Sequence, residues 1–292
     1  MHFAGAHPSC GLWNKDCVWD PKKYAGVWHF APSQKFITED STSFGANIIL
    51  NEIGAVSTNG VAGPTFHFPR TTSGNFYSED RGTPFNDFGN GFSFSIWLRI
   101  PDTSDGSQIF TKHELADKSG FSGYMQYHIR YNVQSSAPNL VDFSIYNANK
   151  TLYPSLSIVK IGLIGSLSAE DSVADAIRAL CRVQRPDEDW HHYAFVNDGM
   201  FLKTYLDGEC VKSVFWPFVL NAGLLNNKRM QTFFGNDINQ YSRALGTVDE
   251  YRVERTGRSA AWIKACYENL RPGSTFVTVN EPYGNGTVIL VR

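Results

Sequence analysis

Apolar and polar positions alternate along much of this chain, most clearly between Trp190 and Val214. Two runs of strand period meet there at Asp207-Gly208, a dipeptide suited to a type I′ turn, which needs positive φ at both central residues. Phe201, Lys203 and Tyr205 fall on one face of the first run, and Leu202, Thr204 and Leu206 on the other. Asn197-Asp198-Gly199 turns the chain back from His191–Val196, so three strands in an antiparallel meander are expected. Phe92–Ile100 alternates in the same way and stops at Pro101. Trp97 and Trp190 hold matching positions in these strands and are expected to be largely buried. Further strands are read at Tyr24–Phe30, Ile48–Leu50, Thr65–Phe68, Gln108–Lys112, Tyr124–Tyr131, Val141–Tyr146, Thr151–Ile161 and Gly246–Val253, with two more near 275–279 and 286–291.

Two segments carry helical spacing instead. Val173, Ile177 and Leu180 recur at that period between Ser168 and Arg182, with Ser168 placed as N-cap, acids leading and Arg182 trailing. Ser259 caps a second short helix over Ala260–Asn269. Many strands, two short helices and long loops predict an all-β fold, a two-sheet antiparallel jelly-roll sandwich. The simplest division is an irregular N-terminal segment over 1–22, one domain over 23–279 and a C-terminal tail over 280–292.

Composition narrows the function. The chain has 292 residues, a formal net charge of −2 and no dense Lys/Arg block, which argues against nucleic acid and anionic membrane as partners. No apolar run is long enough for a membrane span. The start, MHFAGAHPSCG, has neither the basic nor the apolar region of a signal peptide, so the chain reads as part of something longer. Of the five cysteines, none forms a CxxC pair, which disfavours zinc. Cys10 and Cys17 bracket a short loop and are candidates for a local disulfide; five reduced thiols is the competing reading.

The order FSFSIWLRI, QIFTKH, DWHHYAFVNDGMFLKTYLDGECV, FFGND and GTVDEYRVERTGRSAAWIKACYENL resembles the laminin-G-like, concanavalin A-like jelly rolls carried by bacterial surface proteins. Trp97, Trp190, His191, Asp207, Gly208, Asp249, Glu250, Arg252, Trp262 and Tyr267 stand where that pattern places them, and CVWDPKKYAGVWHF with EDSTSFG matches its opening. The resemblance covers roughly 18–279, with longer stretches than usual at 53–90 and 150–188. It implies an extracellular or cell-surface module for binding or adhesion, with a glycan or a cell-surface protein as partner. A structural subunit of a surface layer, filament or fibre, capable of self-assembly, is the alternative from another class.

A glycoside hydrolase of the same fold is a third reading, and it needs two carboxylates flanking the scissile bond. Glu170 and Asp171 open the first predicted helix, Asp187, Glu188 and Asp189 lie in a loop, and Glu39 and Asp40 lie in another. Glu250 and Glu254 have suitable spacing, but Glu254 is expected past the strand end. No nucleophile elbow or phosphate loop is present. His191 and His192 are adjacent on a strand, point to opposite faces and do not suit one metal ion. The resemblance implies a structural Ca²⁺ where the first and last strands meet, held by Asp249 with Asp40 and loop carbonyls. The competing reading leaves these acids as turn or salt-bridge residues. Phe76, Tyr77, Tyr153 and Trp216 are the aromatics considered for stacking on a sugar.

Overall fold

The computed structural model describes residues 15–30, 37–51, 56–68, 75–79, 91–101, 107–114, 125–131, 140–145, 181–216, 230–234, 246–275, 277–280 and 288–291. Its strands are β1 (Tyr24–Trp28), β2 (Ile37–Thr38), β3 (Ile48–Asn51), β4 (Val56–Asn59), β5 (Pro64–Phe68), β6 (Asn75–Glu79), β7 (Phe92–Arg99), β8 (Ser107–Glu114), β9 (Met125–Tyr131), β10 (Leu140–Ile145), β11 (Val183–Gln184), β12 (Trp190–Asn197), β13 (Phe201–Leu206), β14 (Glu209–Phe215), β15 (Met230–Phe234), β16 (Gly246–Glu254), β17 (Val277–Asn280) and β18 (Val288–Val291). Two helices accompany them, α1 (Lys15–Val18) and α2 (Ala260–Leu270). Residues 168–180 of the expected helix, the strand over 151–161 and Cys10 lie outside the described residues, and Cys181 and Arg182, at the end of that expected helix, are not helical.

One sheet runs β14-β13-β12-β7-β16-β5-β4, with β1 also paired to β16, and the other runs β11-β10-β9-β8-β15-β6-β3-β2. All pairs within them are antiparallel, and the result is the all-β sandwich that the alternation predicts. The meander β12-β13-β14 forms as read. Asp207 and Gly208 have φ of 51° and 80°, the left-handed pair that the hairpin needs. Even the helix depends on this turn, because a Cβ on Gly208 would press within 3.1 Å of Tyr267.

The core lies between the sheets and is largely aromatic. Phe143 of one sheet stacks on Phe195 of the other at 5.1 Å and tilts against Phe94 at 4.9 Å. Phe110 meets Tyr251 at 4.4 Å, and Tyr251 in turn stacks on Trp28. Each such ring removes a large apolar surface from water, which is the main term holding the sheets together.

A second, smaller cluster of Ala194, Val196, Tyr205 and Ile263 lies on the outer face of the first sheet, under α2. Trp97 shares that face at 1% exposure, stacked on Tyr267 of α2 at 5.6 Å and against His192 at 5.3 Å. Trp190, also expected to be largely buried, is half-buried at the first position of β12. Trp216, considered for a sugar surface, is 1% exposed and belongs to the central core.

Two boundaries differ from the sequence reading. Residues 15–18 form a helical turn rather than irregular chain. Glu254 is the last residue of β16 rather than a loop residue. The two strands expected near 275–279 and 286–291 correspond to β17 and β18, which pair in a separate two-stranded sheet.

Candidate functional site

A hollow of about 260 Å³ opens on the outer face of the first sheet, between α1 and α2. Val18 and Trp19 line one side, Trp262, Ala265 and Asn269 the other, and Tyr24, Arg252 and Cys266 complete it. Each element delivers its residue for a local reason. The α1 turn and the Asp20 carboxylate, which accepts from the Lys22 backbone at 2.9 Å, fold the chain back so that Trp19 meets Tyr24 edge-on at 5.1 Å. Ser259 caps α2 by accepting from the Trp262 backbone at 3.2 Å, which fixes the first turn and thereby the indole.

Beneath the hollow lies a layer of paired charges. β16 carries a bulge there: Asp249 pairs with Trp97 and Arg252 with Ser95, so three steps on one strand match two on the other. Glu250 sits in the bulge with φ of 49°, an uncommon conformation for a side chain of its kind. The bulge turns its carboxylate onto Arg252 at 2.8 Å and onto the His29 ring. Burial pushes Glu250 up, but His29 and Arg252 outweigh it and hold the carboxyl below its usual range. One turn on, Glu254 accepts from Arg258. Burial raises Glu254 above the ordinary value despite that partner.

The two guanidiniums also lie against the aromatic walls. Arg258 is 4.2 Å from the Trp262 ring centre and 5.0 Å from that of Tyr24, and Arg252 is 5.7 Å from Trp19. Arg252 further donates to Cys266 Sγ at 3.5 Å. Burial pushes the Cys266 thiol up, so it stays protonated and serves as an apolar wall. Neither Glu250 nor Glu254 lines the hollow; they are 5% and 2% exposed and sealed beneath their arginines. That arrangement can bind a ring between aromatic faces, and it offers no carboxylate to a scissile bond.

Asp40 and Asp249, the residues read as calcium ligands, lie on opposite sides of β1 and each organises its own turn. Trp28 of β1 bridges to Asp40 on one side and pairs with Tyr251 on the other. Asp40 Oδ1 accepts from Val27 N at 3.0 Å and Thr42 N at 2.9 Å, and its Oδ2 accepts from Thr42 Oγ1 at 2.6 Å and Ala46 N at 3.1 Å. Asp249 Oδ2 accepts from Val61 N at 2.9 Å and Ala62 N at 3.1 Å, and Oδ1 from Glu250 N at 2.9 Å. Gly60 completes that cradle, since a Cβ there would come within 2.1 Å of Asp249 Oδ2. These lone pairs face N–H and O–H donors, so the two residues do not fit a shared cation. Burial, with Glu250 nearby, pushes the Asp249 carboxyl up to about 6 despite its three donors. Among the described residues no group of three or more His, Cys, Asp and Glu side chains is placed to hold a metal.

The adjacent histidines divide as strand geometry requires. His192 packs under α2, where burial holds it neutral with a pKa down at about 3. His191 lies at the sheet margin, with Asp207 Oδ2 at 2.7 Å from Nδ1 and Asp187 Oδ1 at 3.0 Å from Nε2. Burial alone would lower His191, but the two carboxylates outweigh it and raise it.

The pocket was not foreseen from the sequence as a unit. Trp19, Arg252 and Trp262 each fall in a motif quoted for the resemblance, Trp19 in the opening one within a segment otherwise read as irregular, but only the pairing of β1 with β16 brings the three together. Of the aromatics singled out, Trp216 is core, and Tyr153 lies outside the described residues.

No protein-family model matches the chain, and no curated protein matches it. Solved structures do. One is of botulinum neurotoxin type C, which depends on two ganglioside molecules to enter cells; it has a TM-score of 0.56 at 14% identity, over 92% of this chain and 55% of the other. The binding domain of botulinum neurotoxin DC in complex with SialylT follows at 0.53 and 12%, over 90% and 54%. The binding domain of botulinum neurotoxin serotype G gives 0.50 and 12%, over 90% and 54%. The chain thus spans about half the length of these structures. At such identities the likeness shows the fold, an antiparallel β-sandwich of the kind found in these toxin binding domains.

Proposed function

We propose that this chain is a non-enzymatic binding module of the laminin-G-like, concanavalin A-like class, acting outside the cell or at its surface, and that the pocket between α1 and α2 takes a glycan. The observation that carries the reading is the set of three aromatic rings, Trp19, Tyr24 and Trp262, around a hollow with Asn269 on its lining. Ring faces match the apolar face of a sugar, and a single amide can both donate to and accept from its hydroxyls. The burial of Glu250 and Glu254 beneath arginines supports a binding role over hydrolysis. The gangliosides and SialylT of the similar toxin structures make a glycan a reasonable class to test first, although those proteins are too distant to supply the ligand.

Asp40 and Asp249 serve as turn organisers in this reading, and the fold does not depend on Ca²⁺. The test is a glycan array probed with the full chain and with Trp262→Ala. Loss of the array signal in the variant, with an unchanged far-UV spectrum, is the expected result; identical signals from both proteins would refute the pocket as the site.

A second reading, a structural subunit that joins other chains, has one observation in its favour. Edge strand β14 exposes Val211 at 45% and Phe215 at 47%, beside Met200 at 57%. Concentration-dependent mass in solution, removed by Phe215→Lys, would favour it.

A further inference from the structure

We propose that the pocket is specific for a neutral pyranose end group and rejects sugars carrying a carboxylate; this rests on the glycan-binding reading above. The size sets the first limit. At about 260 Å³ the hollow is smaller than the ~300–1,000 Å³ typical of pockets for drug-sized ligands. It therefore holds one ring with a small substituent rather than a length of chain.

Charge sets the second limit. Among the described residues Arg252 is the one cation on the lining, and both prongs of its terminal fork are directed inward: one terminal nitrogen donates to Glu250 at 2.8 Å and the other to Cys266 Sγ at 3.5 Å, which leaves Nε, a single donor, without a partner. Arg258, next to the pocket, directs Nε to Glu254 and lays its plane on Trp262 and Tyr24. A bound carboxylate wants a free, planar, two-pronged donor. Here it would meet guanidiniums already neutralised by two buried carboxylates, and it would lose its hydration against apolar walls. A neutral ring carries no charge to desolvate, and its hydroxyls cost far less to bury than a carboxylate. It can set its apolar face on Trp262 or Trp19, with one or two hydroxyls, or an N-acetyl group, turned to Asn269. The protonated Cys266 thiol and Ala265 suit a methyl substituent.

The experiment is saturation-transfer NMR on the full chain with methyl glycosides of neutral hexoses, 6-deoxyhexoses and N-acetylhexosamines, and in parallel with 3′-sialyllactose. Expected is ring-proton saturation for at least one neutral glycoside, none for the sialic acid residue, loss of signal in Trp262→Ala, retention in Trp262→Phe and weakening of about 2- to 10-fold in Asn269→Ala, the worth of one hydrogen bond. Binding that depends on Trp262 but is confined to the sialylated probe would overturn the neutral specificity and leave the glycan reading standing. Neutral binding that survives both Trp262→Ala and Trp19→Ala would overturn the pocket. No saturation of any probe would overturn the glycan reading itself.

Discussion

Replacing Asp40 tests whether a turn or an ion shapes the junction of β1 with the loop that follows it. The carboxylate is fully buried and accepts four bonds, from Val27, Ala46 and twice from Thr42. In Asp40→Asn the remaining carbonyl keeps the Val27 and Thr42 backbone donors. The new amide then faces the Ala46 N–H, donor against donor, while the Thr42 hydroxyl can rotate to accept. One orphaned buried N–H costs about 1–3 kcal/mol, and the retained bonds lose their charge assistance, so the variant is expected to lose about 2–4 kcal/mol. Asp40→Ala orphans all four buried donors and is expected to lose more than about 4 kcal/mol. For a chain of 292 residues, an unfolding entropy of about 0.6 kcal/mol per kelvin turns 3 kcal/mol into a fall of about 5 °C in Tm. The assay is calorimetry of wild type and both variants, each with excess Ca²⁺ and with chelator. An Asn variant within about 1 kcal/mol of wild type would refute the hydrogen-bond account. A wild-type Tm that falls with chelator, and no longer does so in Asp40→Asn, would restore the ion.

Other outcomes follow from buried groups. Trp97→Ala removes a ring that is 1% exposed and packed under α2, with an expected loss of about 3–5 kcal/mol by urea denaturation; a loss below 1 kcal/mol would show that α2 does not depend on this ring. The Asp249 carboxyl, raised from 3.8 to about 6, favours the fold most below pH 3.8, and this contribution, about 3 kcal/mol, disappears as pH rises through 6. Stability measured from pH 4 to 6 should therefore fall less steeply in Asp249→Asn than in wild type, and equal slopes would count against the shift. His191 is raised by Asp187 and Asp207, so its protonated form stabilises the fold below about pH 6.5 and the benefit fades as pH climbs past its folded value. The gap in Tm between wild type and His191→Gln is thus expected to be wider at pH 6 than at pH 8; a gap that widens with pH would reverse the assignment.

What the sequence determined by itself is local and periodic. Alternation in Phe92–Ile100 and His191–Val196, and the Asp207-Gly208 turn, specify strands and a hairpin wherever they are placed, because pleat and turn dihedrals are properties of neighbouring residues. The Ser259 cap and the helix after it belong to the same class. From many such strands follows a sandwich, since a sheet with one apolar face must cover it. Tertiary structure decided the rest. Asp40 in a loop and Asp249 early in a strand look like a pair of acids placed where the first and last strands meet, yet only the fold reveals that N–H and O–H donors already occupy their oxygens. Glu250 and Glu254 read as a possible acid pair until the bulge in β16 and the arginines beside them show both carboxylates sealed off. The pocket is the extreme case: Trp19, Arg252 and Trp262 share no local pattern, and only the pairing of β1 with the far end of β16 makes them neighbours. A binding site is made of side chains distant along the chain, and their meeting depends on strand register, which no short stretch of sequence encodes.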